Sequence, residues 1–155
     1  MTSEPHHRVI PQLATRGHIA VTRDALMTWG EQLGAAARPP LVIGISGELG
    51  VGKTTLVQAI CFGAGVREPV TSPTFAIVHR YRGAGATAVV YHLDLYRIEG
   101  PHQVANLGWD EIVSAHALVL VEWPEHAGAA FPPNAARIDL EYDAADPNRR
   151  LLLAG

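Results

Sequence analysis

Residues Gly47-Glu48-Leu49-Gly50-Val51-Gly52-Lys53-Thr54 restrict the folds open to this chain more than any other stretch. They satisfy G-x-x-x-x-G-K-[ST], the phosphate-binding P-loop, which has to sit between a strand and a helix. The flanks comply. Residues 41–46 form an apolar run of strand length, and Leu56, Val57, Ile60 and Cys61 recur at helical spacing before Gly63 and Gly65 supply a stop. Lys53 is the only lysine, and eleven arginines carry the remaining positive charge. Arginine is a broad fork, whereas lysine is a compact charge on a thin stem that can thread beside phosphates. Gly50 and Gly52 let backbone N–H groups turn inward toward phosphate oxygens. The helix N-terminus adds roughly half a positive charge. Thr54 places its hydroxyl where it can hold Mg²⁺ against the phosphates.

The 155 residues suit one domain, taken as 1–155, and 48% hydrophobic against 17% charged content describes a globular chain. A formal charge of −3 argues against strong autonomous nucleic-acid binding, which leaves a basic footprint. Cys61 is alone, so no intramolecular disulfide forms, and a reducing cytoplasm is the expected location. It falls on the apolar side of the expected helix, which favours a core thiol over a reactive one. No apolar run reaches membrane-spanning length, and the N-terminus carries no hydrophobic signal region.

Hydrophobic periodicity predicts an α/β fold: a mainly parallel sheet flanked by helices, with a C-terminal β-hairpin. Residues 8–21 read as an edge strand. Thr22 is placed to cap a helix running to about Ala36, with Leu26, Trp29 and Leu33 on one face. Residues 75–81 and 88–95 read as strands joined by a turn at Gly83-Ala84-Gly85-Ala86. Residues 101–115 read as short helices, 117–121 as a buried parallel strand, and 131–134 as a loop. Residues 137–142 and 149–153 read as the final hairpin.

Hydrolysis needs a carboxylate for Mg²⁺ and a group that orients water. Glu122 ends the run Ala117-Leu118-Val119-Leu120-Val121, where a charge needs a partner such as a metal. Asp94 ends Val89-Val90-Tyr91-His92-Leu93, where spacing alone leaves it open between a site carboxylate and a solvated strand end. Both are expected at the carboxyl ends of strands, beside the ligand crevice. Thr71-Ser72-Pro73-Thr74-Phe75 is either a γ-phosphate-sensing switch or an ordinary polar turn. His92 is either a satisfied core histidine or a crevice histidine. Trp123 is either core or an aromatic that stacks at the crevice mouth. Arg80, Arg82 and Arg97 form either a phosphate or partner surface or a solvated strand face.

Taken in order, the P-loop through Thr55, Ser72-Pro73-Thr74-Phe75, His92-Leu93-Asp94-Leu95-Tyr96-Arg97 and Glu122-Trp123-Pro124-Glu125 resemble the TsaE (YjeE) family, over nearly the whole chain. The resemblance implies a P-loop NTPase fold and a partner-dependent ATPase using ATP and Mg²⁺. It implies action with TsaB-like and TsaD-like proteins in forming threonylcarbamoyladenosine at position 37 of tRNAs that read ANN codons. By motif, Gly50, Val51, Gly52, Lys53, Thr54 and Thr55 match the phosphate loop, and Thr54 and Glu122 match the Mg²⁺ positions. Lys53, Glu122 and Asp94 are the expected catalytic set, Asp94 matching a residue needed for hydrolysis. Ser72 and Trp123 match functionally sensitive positions at the nucleotide. Val51 departs from the family's usual Ala or Ser, a change of bulk at a backbone-donor position. Residues 1–7 match nothing in the family and could be disordered.

The alternative reading is a small-molecule P-loop kinase, which would carry an acceptor pocket and an arginine-bearing lid; no Arg-rich insertion follows the third strand. A GTPase is excluded, because N-K-x-D needs a second lysine and D-x-x-G is absent. The start of the helix near Thr22 and the hairpin near Arg149 are the expected walls of an adenine pocket.

Overall fold

Thr22 ends the short strand β1 (Ile19–Thr22) in an extended conformation and caps helix α1 (Arg23–Ala36), its hydroxyl accepting from the Ala25 amide at 3.2 Å. These coordinates come from a computed structural model that describes residues 19–71 and 77–154. The expected edge strand is therefore seen over its last three residues, 19–21, and its earlier part lies outside the described residues, as do Ser72 and Phe75. After α1 come β2 (Leu41–Ser46), α2 (Lys53–Gly63), β3 (Val78–Ala84) and β4 (Thr87–Asp94). Two short helices, α3 (Pro101–Val104) and α4 (Trp109–Val113), precede β5 (Leu118–Glu122). A 3₁₀ segment, Pro124–Ala130, broken at Gly128, leads to the hairpin β6 (Ala136–Tyr142) and β7 (Arg149–Ala154).

Among the described residues seven strands form one sheet in the order β1-β7-β6-β2-β5-β4-β3. The parallel pairing expected of most of the sheet holds at its centre: β2 pairs parallel with β5 and β6, and β4 pairs parallel with β5. Both flanks are antiparallel, because β3–β4 and β6–β7 are joined by short loops that cannot make a parallel crossover. The turn expected at residues 83–86 is shorter than its glycines suggest. Gly83 stays in β3, where a Cβ would lie 2.0 Å from the Thr87 carbonyl oxygen, and only Gly85 and Ala86 turn. The 3₁₀ segment after β5 has no clear periodicity in sequence.

Every residue of β5 is buried, as its unbroken apolar run demands of a central strand. One core joins Leu26, Trp29 and Leu33 of α1 and Leu56, Val57 and Ile60 of α2 to Ile43, Ile45, Leu118 and Leu120 of the sheet. The opposite face packs Val119 and Val121 against Trp109, Ile112 and Phe131. Cys61 is fully buried in the first core and free, and burial pushes its thiol up to about 12.

Helices α1 and α2 approach through glycine. A Cβ on Gly34 would lie 2.0 Å from the Ile60 carbonyl oxygen, and one on Gly63 would lie 2.0 Å from that of Glu31. This contact presses α2, and with it the loop at its N-terminus, against the sheet. In an isolated helix Gly→Ala gains up to about 1 kcal/mol, whereas overpacking against backbone costs about 1–3 kcal/mol or more. The clash wins here because a carbonyl inside a helix cannot swing aside. Gly34→Ala is therefore expected to destabilise the chain by about 2 kcal/mol, a drop of roughly 4–8 °C in Tm. Thermal unfolding of the variant beside the parent checks this, and an equal or higher Tm would contradict the close contact.

Candidate functional site

The Gly47–Gly52 loop leaves the carboxyl end of β2 and feeds directly into α2. Gly50 and Gly52 take φ values of 81° and 119°, in the left-handed region that favours glycine. No side chain caps α2, so the amides of its first turn point at the space above the loop. The hairpin braces the loop from the other side: the Tyr142 hydroxyl donates to the Leu49 carbonyl at 3.1 Å, and Arg150 Nε donates to the Val51 carbonyl at 2.8 Å. The Val51 side chain is buried beneath the loop, so its extra bulk over Ala or Ser goes into the core.

Lys53 is buried at the start of α2, and its ammonium donates to the carbonyls of Gly47 and, at 2.8 Å, Glu48. It also lies 4.4 Å from the centre of the Trp123 ring. Burial pulls its pKa down, opposed by the charges of Glu122, Asp94, Glu125 and Glu48. The Thr54 hydroxyl lies 3.4 Å from both carboxylate oxygens of Glu122. Thr55 lines a cleft of about 310 Å³ floored by Gly50 and Gly52. Arg23 of α1 and Pro147, Asn148 and Arg150 of the hairpin wall this cleft, the two sides expected to enclose an adenine.

Glu122 and Asp94 are neighbours in the parallel register of β5 and β4, so both carboxylates emerge at the same end of the sheet as the loop. Glu122 is almost fully buried and Asp94 half-buried. Burial pushes the Asp94 carboxyl above its ordinary range and the Glu122 charge adds to the rise; the Tyr96 amide, donating to Asp94 Oδ1 at 3.0 Å, and the charges of His92 and Lys53 oppose it. The structure thus brings Lys53, Thr54, Asp94, Glu122 and Trp123 together around the loop. Ser72 lies outside the described residues. Arg80 and Arg82 are exposed on the edge strand β3, and the Arg82 amide donates to Glu68.

Two features escaped the residue pattern. The first is His92, left open between core and crevice. It is fully buried with Nε2 2.6 Å from Glu122 Oε2. The strand alternation that puts His92 on the face of Asp94 was the signal available. The second is an aromatic cluster at the site's edge. Trp123 adopts φ 58°, left-handed for a bulky residue, and its ring lies 5.0 Å from Tyr96 and 5.3 Å from His126. His126 Nδ1 donates to the Leu95 carbonyl at 2.7 Å, tying this cluster to the end of β4.

A glycine loop opening onto an uncapped helix, with two carboxylates at adjacent strand ends, places this chain among mixed α/β proteins with a strand–glycine loop–helix unit. Residues 21–151 match the family model "Threonylcarbamoyl adenosine biosynthesis protein TsaE", and the chain belongs to the TsaE family. It is 32% identical over 136 residues to the tRNA threonylcarbamoyladenosine biosynthesis protein TsaE of Treponema pallidum strain Nichols, covering 86% of this chain and 98% of that one. It is 37% identical over 107 residues to the protein of the same name from Nostoc sp. strain PCC 7120, covering 66% and 64% respectively. The crystal structure of YdiB from Bacillus subtilis superposes with a TM-score of 0.71 at 25% identity, over 91% of this chain and 88% of that one. No helix among the described residues is long and apolar enough to cross a membrane.

The raised Asp94 pKa has a consequence for stability. A carboxyl whose pKa is higher in the folded than in the unfolded chain binds more protons when folded, so it weakens the fold as pH rises through that interval. Asp94→Asn keeps an oxygen for the Tyr96 amide and removes the charge. The variant is expected to melt above the parent at neutral pH, with the gap closing as pH falls below the ordinary aspartate range. Paired melting curves across pH check this; a variant that melts below the parent at pH 7 would contradict it.

Proposed function

We propose that this chain is a P-loop ATPase that uses Mg²⁺ and supports formation of threonylcarbamoyladenosine at position 37 of tRNAs reading ANN codons, together with TsaB-like and TsaD-like proteins. The observation that carries the reading is the meeting of the Thr54 hydroxyl and the Glu122 carboxylate beside the free N-terminus of α2 and the Lys53 ammonium. Family membership supports the pathway assignment.

The donor set fits Mg²⁺. A hydroxyl and a carboxylate are hard oxygen ligands, and Mg²⁺ takes one or two protein oxygens and completes its shell with phosphates and water. Among the described residues no group of three or more His, Cys, Asp or Glu side chains could hold a metal by itself, which suits an ion that arrives with a nucleotide. Bound there, Mg²⁺ would neutralise phosphate charge and fix the terminal phosphate for attack.

The chain's own groups supply the rest. The first-turn amides of α2 and the loop amides bind phosphate oxygens. Lys53 exchanges the Gly47 and Glu48 carbonyls for phosphate oxygens, a stronger partner for a buried cation. Asp94, with its raised pKa, accepts a proton from an attacking water or orients that water. The cleft between Arg23 and the hairpin takes the base and ribose. No arginine among the described residues stands beside Asp94 and Glu122 to complete a transition-state clamp, so turnover by the isolated chain should be slow.

A charge-assisted hydrogen bond is worth about 1.5–3 kcal/mol, so Lys53→Ala is expected to weaken ATP binding about tenfold or more with the fold intact. Calorimetry on the two proteins measures it, and equal affinities would reject the phosphate-loop role. Asp94→Asn should bind ATP like the parent and lose turnover in steady-state hydrolysis assays. Activity should be weak for the chain alone and rise markedly with TsaB-like and TsaD-like proteins. Fast turnover alone, or phosphorylation of an added small hydroxyl acceptor without partners, would favour the kinase instead.

A further inference from the structure

His92 is a polar side chain in an apolar wall. It stands on β4 between Val90 and Asp94 on the face that packs against α1 and α2, and its solvent exposure is zero. A buried imidazole of this kind needs a reason to be there. Its Nε2 sits 2.6 Å from Glu122 Oε2, while its Nδ1 has no partner. An ionised carboxylate can only accept, so Nε2 carries the proton and donates it to Glu122. The ring is wedged in place edge-on to His79, 6.5 Å between centroids, and His79 Nδ1 is itself 2.9 Å from the Tyr81 hydroxyl. The Thr54 hydroxyl lies 3.4 Å from both oxygens of Glu122, so His92 makes the one short bond to the carboxylate, at Oε2, and no such bond reaches Oε1 from the described residues.

We propose that His92 is a positioning residue: by holding Glu122 Oε2 it fixes the carboxylate beside Thr54 and the loop and leaves Oε1 without a short bond, presetting the group for the cation that accompanies the nucleotide. The inference rests on the proposed function for what Glu122 receives, while the His92–Glu122 bond itself stands without it. A carboxylate buried at a strand end and left free to rotate would have no fixed second oxygen. Partners that orient a metal-ligating carboxylate are worth about 10–100-fold in metal affinity or activity when removed.

The test compares His92→Leu, which keeps bulk and removes the donor, with His92→Gln, whose amide nitrogen reaches about as far as Nε2. Nucleotide affinity is measured by calorimetry across a Mg²⁺ titration and in EDTA. His92→Leu should raise the Mg²⁺ concentration at half-effect about tenfold or more, leave affinity in EDTA unchanged, and be largely rescued by His92→Gln. In a Glu122→Gln background, His92→Leu should add little, because the effect passes through Glu122. Equal losses with and without Mg²⁺, no rescue by glutamine, or full additivity would reduce His92 to a structural residue and overturn the proposal. Imidazole ¹⁵N spectra of the nucleotide-free chain give an independent reading: the His92 resonances should move in Glu122→Gln, and by more than in Asp94→Asn, whose charge acts on the ring only through space. Unmoved resonances would overturn the pairing even if ATP binds. A parent that shows the pairing yet binds no Mg²⁺-ATP would sink the proposed function, and with it the role assigned to the pairing.

Discussion

Glu122 carries a carboxylate to the end of a strand in which all five residues are buried. A charge in that position cannot rely on water, so the residues around it have to answer for it. His92 donates from the neighbouring strand, Thr54 approaches from the first turn of α2, and the Lys53 ammonium lies within its field. These three groups come from two elements, β4 and the first turn of α2, and they meet Glu122 because both elements end beside the carboxyl end of β5. The glycine contact between α1 and α2 presses α2 home, and the parallel register of β4 on β5 aligns His92 and Asp94 with Glu122. A loosely packed version of the same fold would leave Glu122 with a costly, unpaired charge.

The site holds its own charges in place. Lys53 satisfies two loop carbonyls and rests against Trp123, so its buried ammonium is bound by the loop itself. Asp94 is held by the Tyr96 amide, and burial makes it a stronger base than a solvated aspartate. Trp123 adds conformational strain, because a left-handed backbone at a bulky residue costs about 1–2 kcal/mol. That strain is sustained by two neighbouring rings, Tyr96 from just past β4 and His126 from the 3₁₀ segment, which also stack on each other. Strain held in this way at the edge of a site is characteristic of places where function constrains the backbone.

Features written in local chemistry were legible in the sequence. Thr22 as a cap, the β2–loop–α2 unit and the buried run of β5 each follow from a few adjacent residues, and each stands where its pattern puts it. Glu122 was legible as a charge in need of a partner, but not that His92 would be one. That pairing joins residues thirty positions apart, and no periodicity within either strand encodes it. The hairpin between β3 and β4 was misplaced by its glycines: Gly83 serves close backbone approach, not turning. The antiparallel pairing of β6 with β7 was legible as a hairpin, but not that β1 would pair with β7, since those strands lie at opposite ends of the chain. The braces from Tyr142 and Arg150 onto the loop are contacts of the same long-range kind.

The β4–β5 register also sets where this chain can tolerate changes of length. Strand side chains alternate between faces, so one residue inserted between His92 and Asp94 would send one of the two to the face of Trp109 and Phe131. The inserted residue would separate that one from Glu122 even though every residue type was retained. One residue added at Gly85-Ala86, by contrast, enters an exposed turn at the opposite end of the sheet and leaves the pairing of β4 with β5 untouched. Homologous chains should therefore vary freely in length at that turn and hardly at all along β4.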